Sequence, residues 1–110
     1  MPFDKIDIDS ITEERRKSVA KSIRTASGEE LRKLGDEVFH DLDDPWREEF
    51  FKFIKEHSDT TIYHAVASDG VHMLYSPEKD TGIWFLPGVG KGILSPAGRQ
   101  MMKEAVGGRS

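Results

Sequence analysis

The side chains best suited to chemistry are few and scattered. Four histidines stand at His40, His57, His64 and His72, and there is no cysteine. An imidazole can carry a proton near neutral pH or ligate a transition metal, but metal ligands must converge on one point. His64 and His72 flank an Asp69-Gly70 pair that signals a hairpin. A two-residue type I′ turn there sets Ala67 opposite His72, Val66 opposite Met73 and His64 opposite Tyr75. Side chains alternate along a strand. His64 is then expected on one face with Val66, Met73 and Tyr75. His72 falls on the other with Tyr63, Ala65, Ala67 and Leu74, as one half-buried and one exposed imidazole that share no ion. No metal site is expected.

Three other strings invite a chemical reading. Pro87-Gly88-Val89-Gly90-Lys91-Gly92 could aim backbone amides and a cation at a phosphate. A Walker loop needs glycine where Phe85 stands and a hydroxyl where Gly92 stands, so nucleotide hydrolysis is excluded and a flexible loop with one cation is expected. His40-Asp41-Leu42-Asp43-Asp44 is rich in hard ligands, yet it lacks the alternating spacing, glycine and distal glutamate of a calcium loop. Serine, histidine and acids are all present, but no nucleophile elbow organises them. The absence of cysteine removes thiolate metal sites, iron–sulfur clusters and disulfides. No catalytic residue and no cofactor is assigned.

The elements that must position these residues are signed mainly by their starts. Ser10-Ile11-Thr12-Glu13 and Ser27-Gly28-Glu29-Glu30 fit capping boxes, opening helices over about 11–25 and 28–42. Asp44-Pro45 opens a third, about 46–57, with Trp46, Phe50, Phe53, Ile54 and His57 on one side and Phe51 elsewhere. The period then shortens. Segments 60–67, 71–75 and 82–86 are β-branched, aromatic or apolar, and Ser95-Pro96 caps a last helix, about 96–106, closed by Gly107. The expected class is α+β: three N-terminal helices, a three-stranded antiparallel meander covered by helices on one face, and a C-terminal helix. The 110 residues suit one domain over 11–106, with flexible ends at 1–10 and 107–110.

Charge limits the partners. Sixteen bases and 20 acids give a net charge of −4, which argues against nonspecific nucleic-acid or anionic-membrane binding. Segment 11–35 carries +3 and segment 36–49 carries −6. Lys17, Lys21 and Arg24, at i, i+4 and i+7, form one basic helix face. That face could dock an acidic partner, or the acidic segment of the same chain or of a second copy. Weak, salt-sensitive self-association is therefore expected. No apolar run approaches the ~20 residues of a membrane helix and Met1 to Ser10 is too acidic for a signal peptide, so the cytoplasm is the expected compartment.

Ile93-Leu94-Ser95-Pro96-Ala97-Gly98-Arg99-Gln100-Met101-Met102 resembles the stretch after the wing in winged-helix repressors of the MarR type, where a hydroxyl cap, Gly-Arg and a helix follow a hairpin. The resemblance implies DNA binding by the helix before the hairpin. That helix carries Glu48, Glu49, Phe50, Phe51 and Phe53 instead of base-reading residues. Nucleic-acid regulation is accordingly the second reading and a small enzyme the third. The first is a non-enzymatic binding or regulatory domain for a protein partner or small ligand. Its expected surface is the loop and helix region 84–99, with Trp84, Lys91, Arg99, His64 and Tyr75 as contacts and Lys17, Lys21 and Arg24 as a second surface.

Overall fold

The computed structural model describes residues 11–39, 44–87 and 89–107. The elements run α1 (Glu13–Ser22), β1 (Arg24–Ala26), α2 (Gly28–Val38), α3 (Pro45–Glu56), β2 (Ile62–Val66), β3 (His72–Ser76), β4 (Thr81–Leu86), β5 (Gly90–Ile93) and α4 (Pro96–Gly107). The class is α+β, with five antiparallel strands in the order β1-β2-β3-β4-β5. Two strands beyond the expected three are short or glycine-rich. β1 lies where the first helix was expected to run on, and β5 takes up Gly90, Lys91 and Gly92 of the expected flexible loop.

The helix starts follow local capping chemistry. The hydroxyl of Ser27 accepts from the amide of Glu30 at 3.2 Å, and the Asp44 carboxylate accepts from Trp46 N–H at 2.9 Å. Ser95 Oγ accepts from Gly98 N–H at 3.1 Å. At α1 the cap is Thr12, which accepts from Arg15 N–H at 3.1 Å. Ser10, the cap expected there, lies outside the described residues, as do His40, Asp41 and Asp43. The expected flexible ends also fall outside them, apart from Gly107, which ends α4.

Helices cover both faces of the sheet, not one. α1 and α4 close the first face over Ala65, Met73, Tyr75 and Leu86, burying Val19, Met101 and Met102 against them. α2 and α3 close the second over Ile62, Leu74 and Phe85, contributing Leu31, Phe50 and Phe53, with Phe39 at the C-terminal cap of α2. β3 is central and its Met73, Leu74 and Tyr75 are all buried, so the strand feeds both cores. Gly35 lets α2 and α3 touch: a Cβ there would meet the Phe50 and Phe51 rings at 2.7 and 2.6 Å.

The β2–β3 hairpin corrects the expected register by one residue. Tyr63 pairs Tyr75, His64 pairs Leu74, Ala65 pairs Met73 and Val66 pairs His72. The loop is three residues, Ser68-Asp69-Gly70. Gly70 N–H donates to Ala67 O, and Ala67 N–H donates to Val71 O, both at 2.9 Å. Gly70 takes φ of +89°, the left-handed position that ends a three-residue loop. A one-residue slip moves every side chain to the other face. His64, Val66, His72 and Leu74 therefore face α2 and α3, while Tyr63, Ala65, Ala67, Met73 and Tyr75 face α1 and α4. The selected register gathers Ala65, Ala67 and Met73 under α1 and α4, together with both tyrosines.

Candidate functional site

His64 and His72 share a face because of that register, against the expectation that they part. Their positions are diagonal across the pair, and His64 Nε2 lies 2.9 Å from His72 Nδ1, one neutral ring donating to the other. His72 stacks on Phe85 with centroids 4.8 Å apart and planes 7° from parallel. Burial, then the neighbouring His72 and Arg24, pushes His64 down to about 4. Burial also lowers His72. Both rings are held neutral through the physiological range. Two imidazoles meeting at hydrogen-bond distance begin a metal site, but among the described residues no group of three His, Asp or Glu side chains is arranged to hold an ion.

The other expected contacts disperse. Tyr75 lies on the opposite face from His64, and its hydroxyl donates to Asp80 at 2.7 Å. Burial and that carboxylate raise the phenol to about 12. Arg99 donates through Nη1 to Leu94 O at 2.8 Å, and its Nε is 3.9 Å from the same Asp80. Tyr75 and Arg99 thus meet through Asp80, a pairing that ties β3 to α4. Asp80 itself holds a positive φ of 47° in the β3–β4 turn.

Lys91 is a strand residue rather than a loop cation. It forms an ion pair with Asp44, the N-cap of α3, and its ammonium lies 4.6 Å from the Phe39 ring centroid. The hydrogen bond from Lys91, then the Trp46 amide, holds the Asp44 carboxyl below its usual range. Trp84 lies against the glycines of β5. A Cβ on Gly92 would come within 2.6 Å of the indole Nε1, and one on Gly90 within 3.3 Å of its ring. These glycines leave room for the indole ring to pack on the strand.

The basic face is divided as well. Arg24 lies in β1, so it does not continue a helix face with Lys17 and Lys21. Lys17 sits 3.4 Å from Glu13 one turn earlier. Arg15 pairs with Asp69 of the hairpin loop, and Arg16 with Glu104 of α4. The described acids of 36–49 lie on α2 and α3, across the sheet from α1, with Asp36 3.9 Å from Arg47. The basic residues of α1 therefore lie across the sheet from the described acids of α2 and α3. α3 turns Phe50 and Phe53 into the core and leaves Glu48, Glu49, Lys52 and Lys55 outside.

Within the 84–99 region expected to bind, the sequence did not single out Val89 and Ile93, which mark the open side of β5. Among the described residues, the exposed large hydrophobics are Val89 at 46% and Ile93 at 69%, and both belong to the β4–β5 hairpin. Ile93 borders a groove of about 190 Å³ between α3 and the sheet, walled by Trp46, Phe53 and Ile83 and rimmed by Glu49, Lys52 and Glu56. His57 lines the same groove; it is buried, with Nδ1 lacking a hydrogen-bond partner, and its ring lies 4.4 Å from that of Phe53. Burial, then the nearby Lys79, lowers its affinity for a proton. The sequence signal for this edge was Ile93 following glycines, an apolar residue with no helical or alternating partner.

No helix among the described residues is long and apolar enough to cross a membrane. Comparison with known proteins finds no matching family model, no matching curated protein and no matching solved structure.

Proposed function

We propose that the chain is a small protein-interaction domain whose docking surface is the outer side of the β4–β5 hairpin together with the groove between β5 and α3. The observation that carries this reading is the placement of both exposed large hydrophobics, Val89 and Ile93, on that hairpin. β5 also ends the sheet, so it offers unpaired backbone groups beside them. A strand edge flanked by an apolar groove suits an added strand, with main-chain bonds giving affinity and the groove taking alternate side chains. The small-ligand version of the reading has less support. Lys91 is committed to Asp44, Arg99 to Leu94 O and Asp80, and Trp84 to the glycines of β5.

The test is a photo-crosslinking residue at position 93, with position 17 as the control, in extract of the cells that make the protein. The expected result is a discrete adduct from position 93, identified by mass, that excess unlabelled chain competes away and that Val89→Asp weakens. Equal labelling from positions 93 and 17, or no adduct from 93, overturns the reading.

A further inference from the structure

We infer that the occupant of this edge is the β5 strand of a second copy, paired antiparallel about a two-fold axis at Gly92. The inference rests on the docking reading above and goes beyond it by naming the partner. Leu94 N–H donates to Gly82 O at 3.0 Å. In an antiparallel ladder the inward and outward backbone groups alternate. Gly90, Gly92 and Leu94 therefore turn their backbone groups toward β4, and Lys91 and Ile93 turn theirs outward. A two-fold axis at Gly92 sets Lys91 opposite Ile93 of the second copy, and Ile93 opposite Lys91 of that copy. Each such pair exchanges two N–H···O bonds. The arrangement is self-complementary, as an isologous interface requires.

Three further features favour a second copy. A lysine on an edge strand ordinarily discourages pairing, but the charge of Lys91 is already met by Asp44 and its ammonium lies over the Phe39 ring. Two copies therefore bring no bare lysines together. The axis also keeps α3 of both copies on the same side of the joined sheet, with the two helices antiparallel. Their rims read acid, base, acid at Glu49, Lys52 and Glu56. A helix pairing that sets Lys52 against Glu49 or Glu56 of the other copy satisfies charge in both directions. Finally, Ile93 projects on the α3 face, beside Ile83, which it pairs across β4 and β5. The two grooves then close over the two exposed isoleucines.

Sedimentation equilibrium of the purified chain, from about 10 to about 500 µM, is read together with amide hydrogen exchange. A monomer–dimer equilibrium is expected, with protection of the Lys91 and Ile93 amides rising with concentration. Ile93→Asp should weaken it at least tenfold while leaving the unfolding midpoint of the dilute protein unchanged. Lys52→Glu should also weaken it, and Lys17→Glu should not. A monomer at all concentrations overturns the inference, whether those amides exchange fast or are already protected within one chain. If position 93 still crosslinks to a different protein, the docking reading survives alone. If it crosslinks to nothing, both fail. A dimer insensitive to Ile93→Asp overturns the inference and leaves β5 open.

Discussion

The two faces of the sheet solve the same burial problem with different materials. Under α1 and α4 the contacts are mostly aliphatic, Val19, Ala65, Ala67, Met73, Met101 and Met102, with Tyr75 buried among them and Tyr63 and Trp84 packed against them. Under α2 and α3 they are aromatic: Phe39 and Phe50 lie 5.2 Å apart, and Phe50 and Phe85 lie 5.8 Å apart, edge to face. That second face also admits two imidazoles, one stacked on Phe85. A methionine-rich face can refill a gap because its side chains are flexible. A cluster of rings fixes centroid distances and angles and has less freedom to refill. The comparison predicts that the aromatic face is less tolerant of truncation and alone responds to mild acid.

The largest expected effect tests tolerance. Phe50 is buried, touches three other aromatic rings and holds Gly35 of α2 against α3. Phe50→Ala should cost about 3–5 kcal/mol, and Met102→Ala on the other face about 2–3 kcal/mol, because neighbouring Met101 can shift into the space. Urea denaturation of both variants decides it. A larger loss for Met102→Ala would reverse the comparison.

Acid response is the next largest. His64 takes a proton only near pH 4 in the folded chain, against about 6.5 when unfolded. Between those values the unfolded chain binds more protons, so stability rises with pH across the window and levels off above it. Falling from pH 7 to pH 4 should cost roughly 2–3 kcal/mol through this group. Asp44, whose carboxyl is lowered, loses its contribution only further into acid. His64→Leu combined with His72→Leu removes both partners and leaves no orphaned ring nitrogen. Urea midpoints at a series of pH values should then be flatter between 4 and 6.5 than in the parent chain. An unchanged slope would locate the acid response elsewhere.

The third prediction concerns the loop that assigns residues to faces. Gly70 sits at φ of +89°, which a β-branched residue resists. Gly70→Val should cost about 1–2 kcal/mol, while Gly70→Asn, tolerant of that conformation, should cost less. Equal losses in urea denaturation would show that side-chain space near Leu86, rather than φ, sets the requirement.

The parts of this fold that were legible in the sequence are those fixed over three or four residues. Ser27, Asp44-Pro45 and Ser95 cap helices where their side chains reach nearby amides, and the class follows from the shift of period after His57. β5 was hidden because Gly90 and Gly92 are poor strand formers; they are tolerated because Trp84 covers them. The hairpin register was hidden because Asp-Gly can end a three-residue loop as readily as it fills a two-residue one, and Ser68 does not distinguish the cases. The surroundings of the candidate site depend on distant partners. Lys91 is met by Asp44 and His64 by His72, so neither a free loop cation nor two separated imidazoles survives in the folded chain.

The smallest effect separates charge from packing on the aliphatic face. Arg16 and Glu104 join α1 to α4 at the surface, with side chains 46% and 44% exposed. An exposed pair gains little in water, and holding two long side chains together offsets part of that gain. Arg16→Ala should therefore change stability by about 0–1 kcal/mol, and the pairwise coupling from a cycle with Glu104→Ala should shrink as salt rises. Val19, buried on the same helix, gives the contrast. Val19→Ala deletes two methyl groups from a filled site and should cost more than the ion pair. If the double-mutant cycle gave a coupling larger than the Val19→Ala loss, then α1 would be held by charge instead of by its buried face. The basic residues of α1 would then be part of the scaffold, and the case for treating Lys17 and Lys21 as a separate docking surface would weaken further.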